Sequence, residues 1–551
     1  MCKEALGVAS NFFAQTGREI FAPRINNLLS ILERKIKLSS SWKEQFEEYW
    51  LEMSKRFYIV SSVIFGNTYR TLSSIYVPME LQMENMDGQI VRIDCFPKVL
   101  LDQYGKLLIK DTIGMGKSTM LKYMFLKVIS MEMGFPVFVE LRNLKQNHNI
   151  ESEIQIQLSR MNKNFDHQLM VDFFREGGFI FFLDGFDEIA EKERNVVVKD
   201  LSDFISKGYR NQFVMTSRNE SALAGFGDFV GASVLPLSES GLINLIQKYG
   251  NSPSKTKSLV ERIMNHAYSE IDDFLHNPLL AGIMYKAYIE SSMSDLKIYQ
   301  LCSNIFPVFY DQHDLSKDGC YIHKKRVNLS PDDYERILGF MGLYCYANRF
   351  NCLSELEFIK MIRFVENQCS IMLNESDLIF DLTVNIPLFC KDGTTYRWIH
   401  QSLCAYYLAR YIYFESKDKT KDILLKLFTS DRISEYVLAL RMFSEMDSSL
   451  FDKHLLFPFL SSLRVSYQKE RSSWLEFINK KMSSSNLFQS QMNLVQCIHP
   501  ELFKHDMKEG CRSDSSTDNY YLSEEGISNF VNLQNDVELI DDTPENLIVG
   551  L

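Results

Sequence analysis

The stretch Phe179-Ile-Phe-Phe-Leu-Asp-Gly-Phe-Asp-Glu188 decides how the rest of the chain is interpreted. Its five apolar residues run directly into three carboxylates, Asp184, Asp187 and Glu188. A short, wholly apolar run between glycines predicts a strand that is buried on both faces, as in a parallel sheet under helices. Acids at the carboxyl end of such a strand lie where open α/β sheets bind ligands. Taken alone, these acids fit the cap and first turn of a following helix equally well.

A glycine-rich loop upstream favours the ligand-binding interpretation. The segment Lys106–Lys110 predicts a short strand, Asp111-Thr-Ile-Gly-Met-Gly-Lys-Ser-Thr119 follows it, and a helical pattern begins directly afterwards. A strand, a Gly-rich turn, Gly-Lys-Ser and a helix form the context that a phosphate-binding P-loop requires. The match has one departure, because Asp111 stands where the pattern has its first glycine. An acid there could weaken phosphate binding, or its side chain could turn outward.

The residue types of this loop suit phosphate chemistry. Gly114 and Gly116 allow backbone N–H groups to close around phosphate oxygens, and the helix N-terminus adds a partial positive charge. Lys117 is expected to reach the β- and γ-phosphates, and the Ser118 hydroxyl is expected to ligate Mg²⁺. The sequence therefore predicts a site for ATP or ADP with Mg²⁺.

Composition places further bounds on the protein. The chain has 551 residues and a net charge of −11, so a global basic field for nucleic acid is not indicated. Its eleven cysteines form no C-x-x-C pair and no set with zinc spacing, which fits reduced thiols. No apolar stretch approaches the ~18 residues of a transmembrane helix, and the N-terminus lacks the apolar core of a signal peptide. We therefore expect a soluble, cytoplasmic protein.

Strands and helices alternate downstream of the loop. Besides the two strands above, short apolar runs predict strands at 135–141, 212–216 and 233–237, with helices between them. This alternation is typical of a parallel α/β sheet. After residue 238 helical periodicity dominates, and apolar runs near 376–400 predict a small hairpin of the kind found in a winged helix.

Several motifs in order resemble those of the NACHT class of STAND P-loop NTPases, and the bacterial antiphage members in particular. Besides the phosphate loop and the acidic motif, the resemblance rests on Thr216-Ser-Arg218 as a sensor arginine, Asn277-Pro-Leu-Leu280 as a proline motif near adenine, and Trp398-Ile-His400 as a winged-helix histidine motif. It covers roughly residues 75–410. It implies an α/β P-loop NTPase core with a parallel, AAA+-like sheet, followed by helical and winged-helix domains, with mainly helical N- and C-terminal regions.

Helical periodicity and the resemblance together divide the chain into five regions. We predict a helical N-terminal region of unidentified effector or adaptor role (1–90), a nucleotide-binding domain (91–238), a helical domain (239–329), a winged-helix domain (330–410) and a helical, sensor-like region with an acidic tail (411–551).

The resemblance gives the acidic motif and Arg218 their expected roles. Asp184 would hold the Mg²⁺ shell together with Ser118, and Arg218 would sense or stabilise the γ-phosphate. Asp187 and Glu188 would polarise or orient the attacking water, and which of them is the base stays open. The competing interpretations are a carboxylate at a helix start for Glu188 and a surface salt bridge for Arg218.

The remaining expected nucleotide contacts come from the loop and from two distant residues. Met115 and Thr119 belong to the phosphate loop. Pro278 would contribute an apolar contact at the adenine edge, or it is an ordinary helix breaker. His400 would donate to a β-phosphate and latch the winged helix over ADP, or it is a core histidine with its hydrogen bonds satisfied.

These expectations combine into a slow ATPase that works as a signalling switch of innate immunity, in bacterial defence against phage. ADP would latch the resting form, an unknown trigger such as a phage component would contact the C-terminal region, and the protein would oligomerise. The alternatives are a motor or remodelling ATPase that acts on nucleic acid or protein, and a non-hydrolysing scaffold, which Asp111 keeps open.

Overall fold

The computed structural model describes most of the chain between residues 13 and 523. The described residues are 13, 17–36, 39–60, 70–84, 88–111, 114–159, 167–189, 192–218, 221–250, 252–265, 271–290, 297–310, 325–392, 394–469, 473–505 and 520–523. Most of the acidic tail therefore lies outside them, as do Thr112 and Ile113 of the phosphate loop.

Strands and helices are mixed up to residue 234, and helices follow up to residue 290. In chain order the elements are α1 (Arg18–Ile36), α2 (Ser40–Tyr58), β1 (Ile59–Val60), β2 (Arg70–Thr71), α3 (Leu72–Ile75), β3 (Met79–Met83), β4 (Ile90–Ile93), α4 (Lys98–Tyr104), β5 (Lys106–Lys110), α5 (Lys117–Ser130), β6 (Phe135–Glu140), α6 (Ile150–Leu158), α7 (His167–Glu176), β7 (Phe179–Asp184), α8 (Arg194–Lys207), β8 (Gln212–Ser217), β9 (Val230–Val234), α9 (Glu239–Tyr249), α10 (Pro253–Met264), α11 (Asp272–Leu275) and α12 (Pro278–Glu290).

Helices dominate the rest of the described chain. The elements are α13 (Ile298–Ser303), α14 (Ile305–Tyr310), α15 (Pro331–Asn348), β10 (Leu353–Ser354), α16 (Glu355–Cys369), α17 (Glu375–Phe380), β11 (Phe389–Asp392), β12 (Thr395–Trp398), α18 (Gln401–Phe414), α19 (Thr420–Phe428), α20 (Ile433–Met446), α21 (Ser448–Phe451), α22 (Phe457–Gln468), α23 (Trp474–Ser484), α24 (Asn486–Ile498), β13 (Phe503–His505) and β14 (Tyr520–Leu522), with π-helical turns at Asp381–Asn385 and Asp452–Leu456.

A seven-stranded sheet forms the core of the first half. Its strand order is β4-β3-β9-β5-β8-β7-β6. The five strands from β9 to β6 are parallel, and β3 and β4 extend the sheet in antiparallel fashion. The carboxyl ends of the five parallel strands therefore meet at one edge, where α/β sheets bind ligands. The predicted α/β core with a parallel sheet is confirmed.

The apolar run of the acidic motif is covered on both sides, as the sequence predicts. All six residues of β7 are buried. On one face Phe181 packs edge-on against Phe174 of α7 and Phe204 of α8, with ring centroids 5.2 and 5.1 Å away. On the other face Phe182 packs against Phe125 of α5 at 6.0 Å. Such aromatic burial stabilises the strand that carries the carboxylates.

The last parallel strand lies earlier in the chain than the sequence predicts. It covers Val230–Val234 instead of 233–237, and it pairs with β5 on one side and β3 on the other. The physical reason is Pro236, which has no backbone N–H to donate in the interior of a sheet. The apolar pattern of 233–237 does not reveal this constraint.

The chain divides into two compact units that are discontinuous in sequence. The first unit contains residues 1–294, 307–325 and 380–397, and the second contains 295–306, 326–379 and 398–551. The hairpin expected near 376–400 is present, as β11 and β12. No helix among the described residues is long and apolar enough to cross a membrane. The five predicted domain bounds stay predictions.

Candidate functional site

The phosphate loop connects the end of β5 to the start of α5. Gly114 and Gly116 have φ angles of 83° and 80°, in the left-handed region that favours glycine. A Cβ on Gly114 would approach the side-chain oxygen of Asn277 to 2.7 Å, whereas a Cβ on Gly116 would meet no atom within 4 Å. Backbone conformation therefore explains both glycines, and close packing adds a second reason at Gly114.

Asp111 takes part in the loop through its backbone. Its N–H donates to the Ser217 carbonyl at 3.3 Å, and its carbonyl accepts from Lys117 Nζ at 2.8 Å. The φ angle of Asp111 is not positive, so its backbone lies outside the left-handed region. A glycine is therefore not required for the backbone conformation at this position, which removes one objection to the departure from the sequence pattern.

Lys117 lies at the first position of α5 among several charged groups. Burial lowers the pKa of its ammonium, and Arg218 acts in the same direction, while Asp187, Asp111 and Asp184 oppose the shift. An ammonium that is poorly hydrated gains more from an added anion than a solvated one does. Lys117 is therefore suited to hold a phosphate group.

Ser118 and Asp184 lie side by side at the carboxyl edge of the sheet. The Ser118 hydroxyl donates to Asp184 Oδ1 at 2.9 Å, and Asp184 is only 5% exposed. Mg²⁺ prefers oxygen ligands and commonly takes one or two protein groups, with phosphates and waters completing the shell. The two oxygens fit this chemistry. Within the described ranges no group of three or more His, Cys, Asp or Glu side chains could hold a metal ion by itself.

Thr216 supports this pair, a role that the sequence motifs do not predict. Its hydroxyl donates to Asp184 Oδ1 at 2.7 Å and accepts from the Gly185 N–H at 3.0 Å. It thereby fixes one carboxylate oxygen and the turn after β7 together. The signal available in the sequence was its place at the end of β8, directly before Ser217 and Arg218.

Asp187 and Arg218 form an ion pair, and a backbone hydrogen bond between the same two residues supports it. Arg218 Nε lies 2.9 Å from Asp187 Oδ2, and the Arg218 backbone N–H donates to Oδ1 at 3.1 Å. Arg218 Nη1 also donates to the Thr383 carbonyl at 2.7 Å, across 165 residues of sequence. Arg218 therefore joins the acidic motif to the π-helical turn Asp381–Asn385. Both oxygens of Asp187 are engaged by the same arginine.

Glu188 lies beside a different arginine. Its Oε2 is 3.8 Å from Arg142 Nη1, and its side chain is 24% exposed. The turn that carries it, Phe186–Glu188, is held by Arg194, whose Nη2 donates to the Asp187 and Ile189 carbonyls at 3.2 and 3.3 Å. Asp187 and Glu188 thus have distinct surroundings, although they are neighbours in sequence.

The proline motif lies against the phosphate loop. The Leu279 N–H donates to the Gly114 carbonyl at 3.2 Å, and Asn277 Nδ2 lies 3.5 Å from Met115 Sδ. Pro278 is the first residue of α12, where its missing N–H costs no helical hydrogen bond. The structure brings this motif to the loop through Asn277 and Leu279, and the adenine contact of Pro278 stays a prediction.

His400 belongs to the second unit and caps α18. Its Nδ1 lies 2.7 Å from the Ser402 hydroxyl and accepts from the Ser402 N–H at 3.2 Å. This acceptor role places the ring proton of a neutral imidazole on Nε2. The cap gives His400 a structural function, and its contact with a β-phosphate stays a prediction. Thr119, on the first turn of α5, is half-buried, and its role is likewise a prediction.

Comparisons with known proteins add only a general resemblance. No family model and no curated protein matches the chain. Among solved structures, it is similar to a Walker-type ATPase of Pyrococcus abyssi (12% identity, 56% of this chain and 93% of that one, TM-score 0.34). It is also similar to Cdc6p of Pyrobaculum aerophilum (12% identity, 63% of this chain and 97% of that one, TM-score 0.28). A third similar structure is a STAND protein with a tetratricopeptide repeat sensor from Pyrococcus horikoshii (13% identity, 73% of this chain and 57% of that one, TM-score 0.22).

TM-scores this low transfer no residue role and no activity to this chain. The geometry of the first unit carries the conclusion by itself: a glycine-rich loop, a lysine at a helix start and a hydroxyl–carboxylate pair meet at the carboxyl edge of a parallel sheet. This chain has a P-loop core of the α/β class.

Proposed function

We propose that the protein is an ATP/ADP-dependent signalling switch with slow ATPase activity. The observation that carries the proposal is Arg218, which bonds at once to Asp187 of the acidic motif and to the Thr383 carbonyl. A group that binds the nucleotide site and a distant chain segment alternately can convert a chemical change into a conformational one.

Each residue at the edge of the sheet has a defined task in this proposal. The loop amides of 114–119 and Lys117 bind the phosphates, and Ser118 and Asp184 hold Mg²⁺. Because both oxygens of Asp187 are engaged by Arg218, Glu188 is the better candidate for orienting the attacking water. When bound, ATP with Mg²⁺ supplies the γ-phosphoryl group whose cleavage distinguishes the two states.

The switch itself consists of an exchange of partners at Arg218. In the ADP state the guanidinium keeps the Thr383 carbonyl, and in the ATP state it turns to the γ-phosphate instead. Thr383 lies in the segment 380–397, which continues along the chain to Trp398 and His400. A displacement of this segment would reach the second unit through the chain itself, and would release the histidine latch that the sequence motif suggests.

The nucleotide retained by the purified protein tests this proposal. Denaturing freshly purified protein should release about one ADP per chain, and Lys117→Ala should release none because the phosphate anchor is lost. Nucleotide-free wild-type protein with fast turnover that a nucleic acid or protein substrate stimulates would instead support a motor.

Oligomer formation provides an independent test. We expect Glu188→Gln, which should bind ATP without cleaving it, to form a larger assembly with ATP than with ADP. Mass photometry at matched protein concentration measures both states. Equal masses with the two nucleotides would contradict the switch.

We also propose that the switch serves antiphage defence and that a phage component triggers it through residues 411–551. This part rests on the motif resemblance alone. Cells that express the wild-type protein should plate phage less efficiently than cells that express Asp184→Ala at equal protein level. Equal plating over a broad phage panel would contradict the defence role.

A further inference from the structure

Helix α2 lies along the outer edge of the sheet and is fastened to it. Among the strands that the structure describes, β6 is the last in the sheet order, and none of them pairs with its outer side. Side chains of α2 cover that side at alternate residues of β6, which protects an exposed edge. The polar contacts are Trp50 Nε1 to the Pro136 carbonyl (2.9 Å), the Phe138 N–H to the Tyr49 hydroxyl (2.9 Å) and Arg56 Nη2 to Glu140 Oε1 (2.6 Å).

The last of these contacts begins a chain of charges that reaches the acidic motif. Glu140 ends β6 and is in register with Asp184 of β7. Its second oxygen, Oε2, accepts from Arg142 Nη2 at 2.5 Å. Arg142 Nη1 in turn lies 3.8 Å from Glu188 Oε2. Arg56, Glu140, Arg142 and Glu188 therefore alternate in sign, and we call them the charge chain.

The centre of the charge chain is shielded from solvent. The side chains of Glu140 and Arg142 are 11% and 12% exposed, and those of Arg56 and Glu188 are 29% and 24% exposed. Burial raises the pKa of Glu140, but Arg56, Arg142 and Lys122 outweigh it and hold that pKa below its ordinary value. Ionised partners in such surroundings interact strongly, and a change at one of them is felt by the next.

We propose that Arg142 is a positioning residue for Glu188 and that α2 controls it through Arg56 and Glu140. The inference rests on the proposed role of Glu188 as the group that orients water. At 3.8 Å the Arg142–Glu188 contact is an ion pair without a hydrogen bond, so it can tighten or loosen. A carboxylate drawn toward a guanidinium is a poorer acceptor for the proton of the attacking water.

Glu140 transmits the control because one carboxylate serves two guanidinium groups. While Arg56 occupies Oε1, Arg142 receives only part of the attraction of Glu140 and remains near Glu188. If α2 withdrew Arg56, Glu140 would attract Arg142 more strongly, and Glu188 would be released. Displacement of α2 by a partner of the N-terminal region would therefore accelerate hydrolysis and shorten the ATP state.

The proposal makes opposite predictions for neighbouring members of the charge chain. We expect Arg142→Gln and Arg56→Gln to raise kcat about three- to tenfold, and Glu140→Gln to lower it by a similar factor, since Arg142 would then turn fully to Glu188. In an Arg142→Gln background the other two changes should have no further effect. Steady-state ATPase kinetics with a double-mutant cycle measure this coupling.

Two readouts separate positioning from a structural role. Loss of a neighbouring cation should move the acid limb of the pH–rate profile of Arg142→Gln to higher pH, and Arg142→Lys should restore kcat and the profile toward the wild type. The matched control is Arg24→Gln, which removes an ion pair between α1 and Glu132 outside the charge chain (3.1 Å) and should leave kcat unchanged.

The outcomes distinguish this inference from the proposed function. If Glu188→Gln turns over like the wild type, the role of Glu188 and this inference both fail. If Glu188→Gln is inactive but Arg142→Gln changes neither kcat nor the acid limb, only the inference is overturned. Parallel losses of kcat and thermal stability in Arg142→Gln, Arg56→Gln and Glu140→Gln would also overturn it.

Discussion

At the scale of single residues, the site depends on hydroxyl and carboxylate groups that hold one another in place. Asp184 Oδ1 accepts from both Ser118 and Thr216, so the carboxylate is oriented before any cation arrives. Such pre-orientation lowers the cost of ordering the ligands when a cation binds. The contribution of Thr216 is indirect, because it touches the carboxylate and the turn after β7.

Removing the Thr216 hydroxyl should weaken the cation site. Thr216→Val leaves the Gly185 N–H and Asp184 Oδ1 each without one partner, which should cost about 1–3 kcal/mol of stability. We expect half-saturation of ATPase activity to require about 10- to 100-fold more Mg²⁺. A Mg²⁺ titration at saturating ATP measures the Mg²⁺ concentration that gives half-maximal activity.

The matched control for this prediction is Thr256→Val in α10. Thr256 is also buried (7% exposed), and its hydroxyl lies 3.4 Å from the Tyr285 hydroxyl, outside the site. It should change stability without changing the Mg²⁺ requirement. An unchanged Mg²⁺ requirement in Thr216→Val would show that Thr216 does not support the cation site.

At the scale of elements, close approaches of backbones decide how helices pack. In the second unit α15 crosses α18 so tightly that a Cβ on Gly342 would lie 2.8 Å from the Leu408 nitrogen. One turn earlier on the same helix, a Cβ on Gly339 would find its nearest atom at 3.6 Å, an ordinary contact. Of these two glycines on one helix, Gly342 is therefore required by the close packing, and Gly339 is not.

Alanine at these two positions should have opposite effects on stability. Gly342→Ala presses on backbone that cannot yield easily, and should cost about 1–3 kcal/mol. Gly339→Ala gains helix propensity, up to about 1 kcal/mol, without a clash. Chemical denaturation that follows the second unit measures both, and equal effects of the two substitutions would contradict the packing argument.

At the scale of the whole molecule, the two units alternate along the chain. The segments 307–325 and 380–397 belong to the first unit, although they lie between segments of the second. The predicted domain bounds 239–329 and 330–410 stay predictions. The hydrogen bond from Arg218 to the Thr383 carbonyl is one contact that joins the segment 380–397 to the edge of the sheet.

The helices of the second unit carry a pH-dependent element. His499 at the end of α24 contacts Asp452 through Nε2 (2.9 Å) and Glu501 through Nδ1 (2.6 Å). Burial lowers the pKa of this imidazole, but hydrogen bonds to the two carboxylates outweigh it, and the pKa lies above its ordinary value. The imidazolium therefore stabilises the fold of this region at low pH.

The sign of the pH effect follows from that shift. Because the folded pKa is raised, the contribution is complete below the unfolded value of about 6.5 and is lost as pH rises through the folded value. His499→Gln should therefore lower the Tm more at pH 6 than at pH 8.5. Differential scanning calorimetry of the wild type and the variant at the two pH values measures the decrease in Tm. An equal decrease at pH 6 and pH 8.5 would exclude the imidazolium as the cause.

The sequence alone was sufficient where chemistry is local. The parallel α/β core was predictable, because apolar runs such as Phe179–Leu183 are too short and too uniform for an amphipathic helix. The phosphate loop was predictable as well, since Gly114, Gly116, Lys117 and Ser118 are neighbours in sequence and their residue types follow from phosphate chemistry.

Only the tertiary structure decided which charged groups are partners. Asp187 and Glu188 are adjacent acids with the same intrinsic chemistry, yet one pairs with Arg218 and the other lies beside Arg142. Ion pairing depends on distances of a few ångströms between residues 31 and 46 positions apart in these two cases, and on burial that only the folded sheet provides. The link from Arg218 to Thr383, across 165 residues, has the same physical origin.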